Sequence, residues 1–244
     1  MDEEKRADVA AVGMLVAIVA AVAWAVSYAF DAQRAGATSA LVALGVTYGA
    51  LAACALVYAW KTSQLKRWMV PASGDLTRGF VASLLLFALA FGFVKLITMH
   101  HGPTPQEGPQ RAAWMARLYL QLGDTKPLRE HQAWVGAGIA VAAMMEEIVW
   151  RGWAKSLLER LVGRRFGWIA AACAYALAHV PTLWALSDGE IGKNPLVLIA
   201  ALGAGLVWSA LARVFGDRLT PSIVSHGLFD WAVLMMFRLW GPSV

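Results

Sequence analysis

A polytopic, all-α bundle of membrane-spanning helices is the fold this sequence predicts, and three observations predict it. Hydrophobic residues make up 59% of the 244 positions and charged residues only 15%, where a soluble domain carries about a quarter charged. The excess of Ala, Val, Leu and Trp runs along the whole chain, as an apolar solvent requires and a single core does not. Apolar stretches recur at lengths near the roughly 20 residues that cross a bilayer, and no period-two alternation competes with them. A backbone in lipid must satisfy its own hydrogen bonds, which makes helices the default.

In order, the charged segment Met1 to Asp8 precedes a first apolar run, Val9 to Phe30. That run is longer than a signal-peptide core and reads as a retained helix. Further spans are expected at Thr38 to Trp60, Phe80 to Met99, Ala133 to Val149, Trp168 to Leu186, Pro195 to Phe215 and Pro221 to Trp240. Seven spans result, or eight if the segment His100 to Glu130 contributes a partial one. That segment opens with the helix breakers Pro103, Pro105 and Pro109. Its continuation, Arg111 to Leu122, places Trp114, Leu118 and Tyr119 among basic residues, as an interfacial amphipathic helix would. Glycines within apolar runs, such as Gly203 and Gly205, allow close helix approach. With no internal repeat or linker, residues 1–244 read as a single integral membrane domain.

Lys and Arg in the connecting segments set the orientation. With the N-terminus on the cytoplasmic side, 13 fall inside, from Lys5 to Arg218, and 7 outside, and Lys95 lies within the third stretch. The net charge of +5 raises nucleic acid as a partner, but the basic residues flank apolar runs and form no continuous patch; membrane lipids are the expected surroundings. Cys54 and Cys173 lie in apolar segments and read as small buried residues, neither a disulfide nor a metal pair. Lys95 is expected to snorkel to the outer interface, and His100 and His101 to be solvated. Tryptophans such as Trp60, Trp68, Trp168 and Trp240 read as an aromatic belt.

Ionisable residues within spans are costly and default to function or tight pairing, and here three late helices each carry such a group. In Met-Met-Glu-Glu-Ile-Val-Trp-Arg-Gly, Arg151 follows Glu147 by four residues and shares its face, while Glu146 points about 100° away. A carboxylate in a poorly solvated site suits a general base near neutral pH; the plainer reading is a helix end emerging into basic cytosol. Tyr175 and His179 are again four apart, and Pro181 is expected to kink or open that helix. An interhelical hydrogen bond is the plainer reading of His179. His226 and Asp230 share a third face, with Gly227 allowing close approach; the plainer reading is a pair that holds the last helix. One shared buried site accounts for all three groups at once.

The order Glu-Glu-x-x-x-Arg, aromatic-x-x-x-His and His-x-x-x-Asn/Asp resembles the CAAX-processing and bacteriocin-processing (CPBP, or Abi) family of intramembrane glutamic endopeptidases. The matching residues are Glu146, Glu147 and Arg151, then Tyr175 and His179, then His226 and Asp230. The family usually has Phe where Tyr175 stands, and its CAAX endopeptidases carry Asn at the position of Asp230. The resemblance implies that helices within residues 131–240 form a catalytic core. In it Glu146 activates water with help from His179, the water attacks a peptide carbonyl, and His226 and Asp230 line the oxyanion pocket. Glu147, Arg151 and Tyr175 support the site, and no cofactor is needed. An ionised Asp230 cannot donate to an oxyanion, so it is either protonated or orients a protonated His226.

A zinc site at Glu146, His179 and His226 is the metal alternative, although the spacing is not that of a His-Glu-x-x-His helix. The implied substrate is a protein or peptide with a membrane-proximal cleavage site: a CAAX tail, a leader or a sorting tag. The Ala- and Arg-rich composition points to the inner membrane of a GC-rich bacterium and so to an unprenylated substrate. Two other classes compete. A proton-coupled transporter would also bury Glu, His and Asp but often shows repeats; a non-catalytic Abi-like immunity or scaffold protein would keep the fold.

Overall fold

The computed structural model describes residues 2–99, 107–124, 126–187, 189 and 192–235. His100, His101, Pro103, Pro105, Arg238 and Trp240 lie outside these residues. The described chain is all-α. Its helices are α1 (Glu3–Ala29), α2 (Thr38–Lys61), α3 (Leu65–Met69), α4 (Asp75–Met99), α5 (Glu107–Leu120) and α6 (Lys126–Glu130). They continue as α7 (Gln132–Glu147), a π-helical segment (Ile148–Ala154), α8 (Lys155–Val162), α9 (Gly167–Ala178), α10 (Thr182–Ala185), α11 (Leu196–Val214) and α12 (Thr220–Met235).

Among the described residues, six helical units are long and apolar enough to cross a membrane. They comprise α1, α2, most of α4, the continuous helix Gln132–Val162, Gly167–Ala185 and α11. The count lies close to the seven or eight expected, since the described part of α12 is a 16-residue helix. The outer faces stay apolar: Val16 of α1, Leu41 of α2 and Leu89 of α4 are exposed, as lipid-facing positions are. The core is built largely from small residues, including Ala11, Ala52, Ala55, Ala59, Ala154 and Ala178, which let helices approach closely.

Four expectations need correction. The span expected to end at Val149 instead continues to Val162. Arg151 and Lys155 do not terminate it, because both are buried against carboxylates; two of the cations counted as loop residues therefore lie within the bundle. Pro109 does not break a helix, since it sits in the first turn of α5, where a missing N–H costs nothing. Cys54 and Cys173 are exposed rather than buried, because they lie on the outer faces of α2 and α9. Trp68 belongs to no interfacial belt: it is 1% exposed, with its ring under the π segment, where a Cβ on Gly152 would lie 2.9 Å away.

The segment α5–α6 does not lie free on the surface. Gln121, just beyond α5, donates to the carbonyls of Ala29 and Asp31 at 2.8 and 3.0 Å, and Asn194 donates to the Trp114 carbonyl at 2.9 Å. These bonds gather the end of α1, α5 and the start of α11 at one end of the bundle. The opposite end collects the start of α1, α3, the end of α8 and the start of α12, tied by Arg160–Asp8 at 2.8 Å and Arg218–Asp75 at 2.9 Å.

Candidate active site

The first group sits where α7 passes into the π segment. A π turn accepts from one residue further along than an α turn and occurs mostly as a bulge at functional sites. Both residues of the Glu147–Arg151 pair have fully buried side chains, and they meet at 3.1 Å. Arg151 also donates to the Gly205 carbonyl of α11 at 3.3 Å, and its guanidinium lies over the Tyr175 and Trp208 rings at 4.6 and 5.2 Å. A buried charge persists only with such partners.

Glu146 is half-buried and points elsewhere: Tyr175 Oη donates to its Oε2 at 3.2 Å. The Tyr48 hydroxyl of α2, which accepts from the Trp150 indole at 3.2 Å, interacts with the same carboxyl. The rings of Tyr175 and Trp150 meet edge-on with centroids 5.4 Å apart.

Helix α9 stops at His179, which caps it. Pro181 cannot supply the N–H that would continue the ladder, and the chain turns into α10. His179 Nδ1 lies 2.8 Å from the Tyr175 carbonyl. A carbonyl only accepts, so Nδ1 carries the hydrogen and a neutral ring leaves Nε2 as the basic nitrogen. The Tyr175 and His179 rings meet at 4.6 Å, and Thr182 Oγ1 donates to the His179 carbonyl at 2.7 Å.

Helix α12 supplies the third group. His226 Nδ1 lies 2.8 Å from Glu147 Oε1, and Nε2 lies 3.2 Å from Asp230 Oδ2. With both carboxylates ionised, the ring makes both bonds only as an imidazolium. Trp208 of α11 stacks on it, with centroids 3.7 Å apart and planes 18° from parallel; the Trp208 indole is itself fixed by Ser225 Oγ at 3.2 Å. Asp230 is the open side of the cluster, its side chain 43% exposed.

The seven residues singled out from sequence thus fall in one cluster drawn from the α7–π junction, α9 and α12. Glu146 and His179 are not bonded to each other; Tyr175 joins them, through its hydroxyl to one and its carbonyl to the other. Tyr48, Trp150 and Trp208 are part of the cluster and were missed, because an isolated aromatic in an apolar span carries no spacing signal. Of the donors named for a metal, His226 is the one with both nitrogens already taken. His179 Nδ1 is engaged as well, and among the described residues no three His, Cys, Asp or Glu side chains converge as metal ligands.

The three motifs of the cluster lie within a stretch that matches a known family. Residues 130–232 match the family described as Rce1-like, type II CAAX prenyl endopeptidase Rce1-like. This stretch is similar to the Rce1-like CAAX endopeptidases. The matched span starts just before α7 and ends within α12, so it contains all three motifs, while Tyr48 lies outside it. At family level this match indicates a CAAX-type intramembrane protease, a peptide hydrolase, and the described chain supplies the bundle of apolar helices. No curated protein and no solved structure matches the chain significantly.

Proposed function

We propose that this Rce1-like protease hydrolyses a peptide bond in a membrane-associated protein or peptide, using water activated by Glu146. The observation that carries the reading is the contrast between the two adjacent glutamates. Glu147 is consumed by Arg151 and His226, whereas Glu146 is held by neutral phenols and has no bonded cation among the described residues, which leaves it as the carboxylate to take a water proton. His179, with Nε2 as its basic nitrogen, assists the proton transfer. Tyr175 and Tyr48 orient the Glu146 carboxyl, and Glu147 with Arg151 fixes the helix beneath it.

His226 faces the developing oxyanion once its Nε2–H turns from Asp230 to the substrate oxygen; such donors are worth about 3 kcal/mol each. The 3.2 Å contact favours an orienting role for Asp230 over a protonated donor, so Asp230→Asn is expected to lose most activity. Retained activity would instead assign the donor role. The substrate is a C-terminal segment, sorting tag or leader at the membrane face of a bacterial inner membrane.

The test is Glu146→Gln in cells, with the membrane proteome compared with the parent strain. An uncut protein should accumulate, and cleavage of that protein by the purified enzyme should fall about 10²–10⁴-fold, the usual worth of a general base. A transport defect with no uncut protein would replace this reading with a proton-coupled carrier.

A further inference from the structure

At the end of the bundle that gathers α3 and the starts of α4 and α12, the surface opens into a hollow of about 440 Å³. Ser63, Lys66, Arg67, Val70, Gly216 and Arg218 line it. Three of the six are cations, and none is an anion. Acids nearby are already committed. Asp217 takes Lys155 at 2.6 Å, Arg67 at 3.3 Å and Arg164 at 3.6 Å, and Asp75 takes Arg218 and Arg78, each at 2.9 Å. Five cations thus share two carboxylates, with Glu159 as a further partner of Lys155 at 3.1 Å. Lys66 makes no ion pair among the described residues and adds to the surplus. Net positive charge persists around this shallow, open surface beside the ends of helices long and apolar enough to cross a membrane.

We propose that this hollow is a binding site for an anionic phosphate group, that of a phospholipid headgroup or of free phosphate. Arg218, held through Nε and Nη2 by Asp75, turns its Nη1 toward Gly216 of the hollow, Arg67 offers the N–H groups left by Gln64 and Asp217, and Lys66 supplies a mobile point charge. Ser63 adds a hydroxyl, and Val70, 50% exposed, gives an apolar wall against which a glycerol or the first acyl carbons rest. Basic pockets between membrane helices hold lipid headgroups in this way. The site is not isolated from the rest of the bundle. Helix α3 carries Lys66 and Arg67 on its solvent side, while Trp68 packs under Gly152 and its carbonyl accepts from Leu219 N at 3.1 Å.

The test uses the full chain in neutral detergent and fluorescent short-chain phosphatidylglycerol, with phosphatidylcholine of the same chain length as reference. Binding should favour phosphatidylglycerol, and Lys66→Ala should weaken it about fivefold, the worth of one cation at such a surface. Lys61→Ala removes an equal charge at the end of α2, outside the hollow, and should change affinity less than about twofold. Because Lys66 holds no ion pair, its thermal unfolding should match the parent's. Displacement by millimolar inorganic phosphate would assign the site to phosphate itself; persistence against it would assign the lipid headgroup. Equal losses from Lys61→Ala and Lys66→Ala, or no preference for the anionic lipid, would overturn the proposal.

Discussion

Glu146 and Glu147 are adjacent in sequence yet live in different chemical surroundings. Glu147 lies between a guanidinium and an imidazole. Glu146 faces two phenols. Removing one phenol should therefore act on rate more than on folding. Tyr175→Phe keeps the ring against Arg151 and His179 but deletes the hydroxyl at 3.2 Å. A single hydrogen bond to a carboxylate is worth about 1.5–3 kcal/mol, so cleavage should slow by about 10- to 100-fold with little change in thermal unfolding. Arg151→Met should do the opposite first: it leaves Glu147 a buried charge with one partner and should destabilise the fold by about 3–5 kcal/mol, read as a lowered unfolding temperature in detergent.

At the scale of elements, the site depends on where α12 sits, and α12 packs most extensively on α4. The approach is close at Gly79, where a Cβ would lie 2.6 Å from Val224 and 2.7 Å from the Pro221 carbonyl oxygen. A backbone carbonyl cannot move aside unless the helix moves. Gly79→Ala should therefore destabilise by about 1–3 kcal/mol and also lower the cleavage rate of the folded fraction, because His226 travels with α12. Much of this architecture was legible in the chain beforehand. Apolar run length placed the spans, and spacings of four placed each polar pair on one face, since such side chains stand above one another on a helix. What escaped was what periodicity does not encode. The π turn has no composition signature, and Trp208 and Tyr48 meet the site only through tertiary packing. Burial of Arg151 and Lys155 depends on carboxylates that, for Lys155, include one 62 residues away.

For the molecule as a whole, the two ends of the bundle differ in charge. Lys5, Arg6, Lys61, Lys66, Arg67, Arg160, Arg164 and Arg165 belong to the end with α3; we propose, on the positive-inside rule, that this end faces the cytosol. A cysteine introduced at Ser63 should react with a membrane-impermeant maleimide only from the cytosolic side, and one at Asp124 only from the opposite side; the reverse pattern would invert the orientation. The native Cys54 and Cys173 should stay unlabelled in intact membranes, since each faces the apolar surround of its helix. The irregular turn at Ile148–Ala154 also has a meaning at this scale. Two sets of anchors lie on one rod: Glu147 engages Arg151 and His226 of the candidate site before the turn, and Lys155 engages Asp217 after it. Taking one residue out of the turn would swing everything beyond it by about 100°, so one of the two anchors would have to let go. The widened turn thus works as a phase adjuster, letting a single continuous rod satisfy two fittings that a uniform helical pitch would leave out of step.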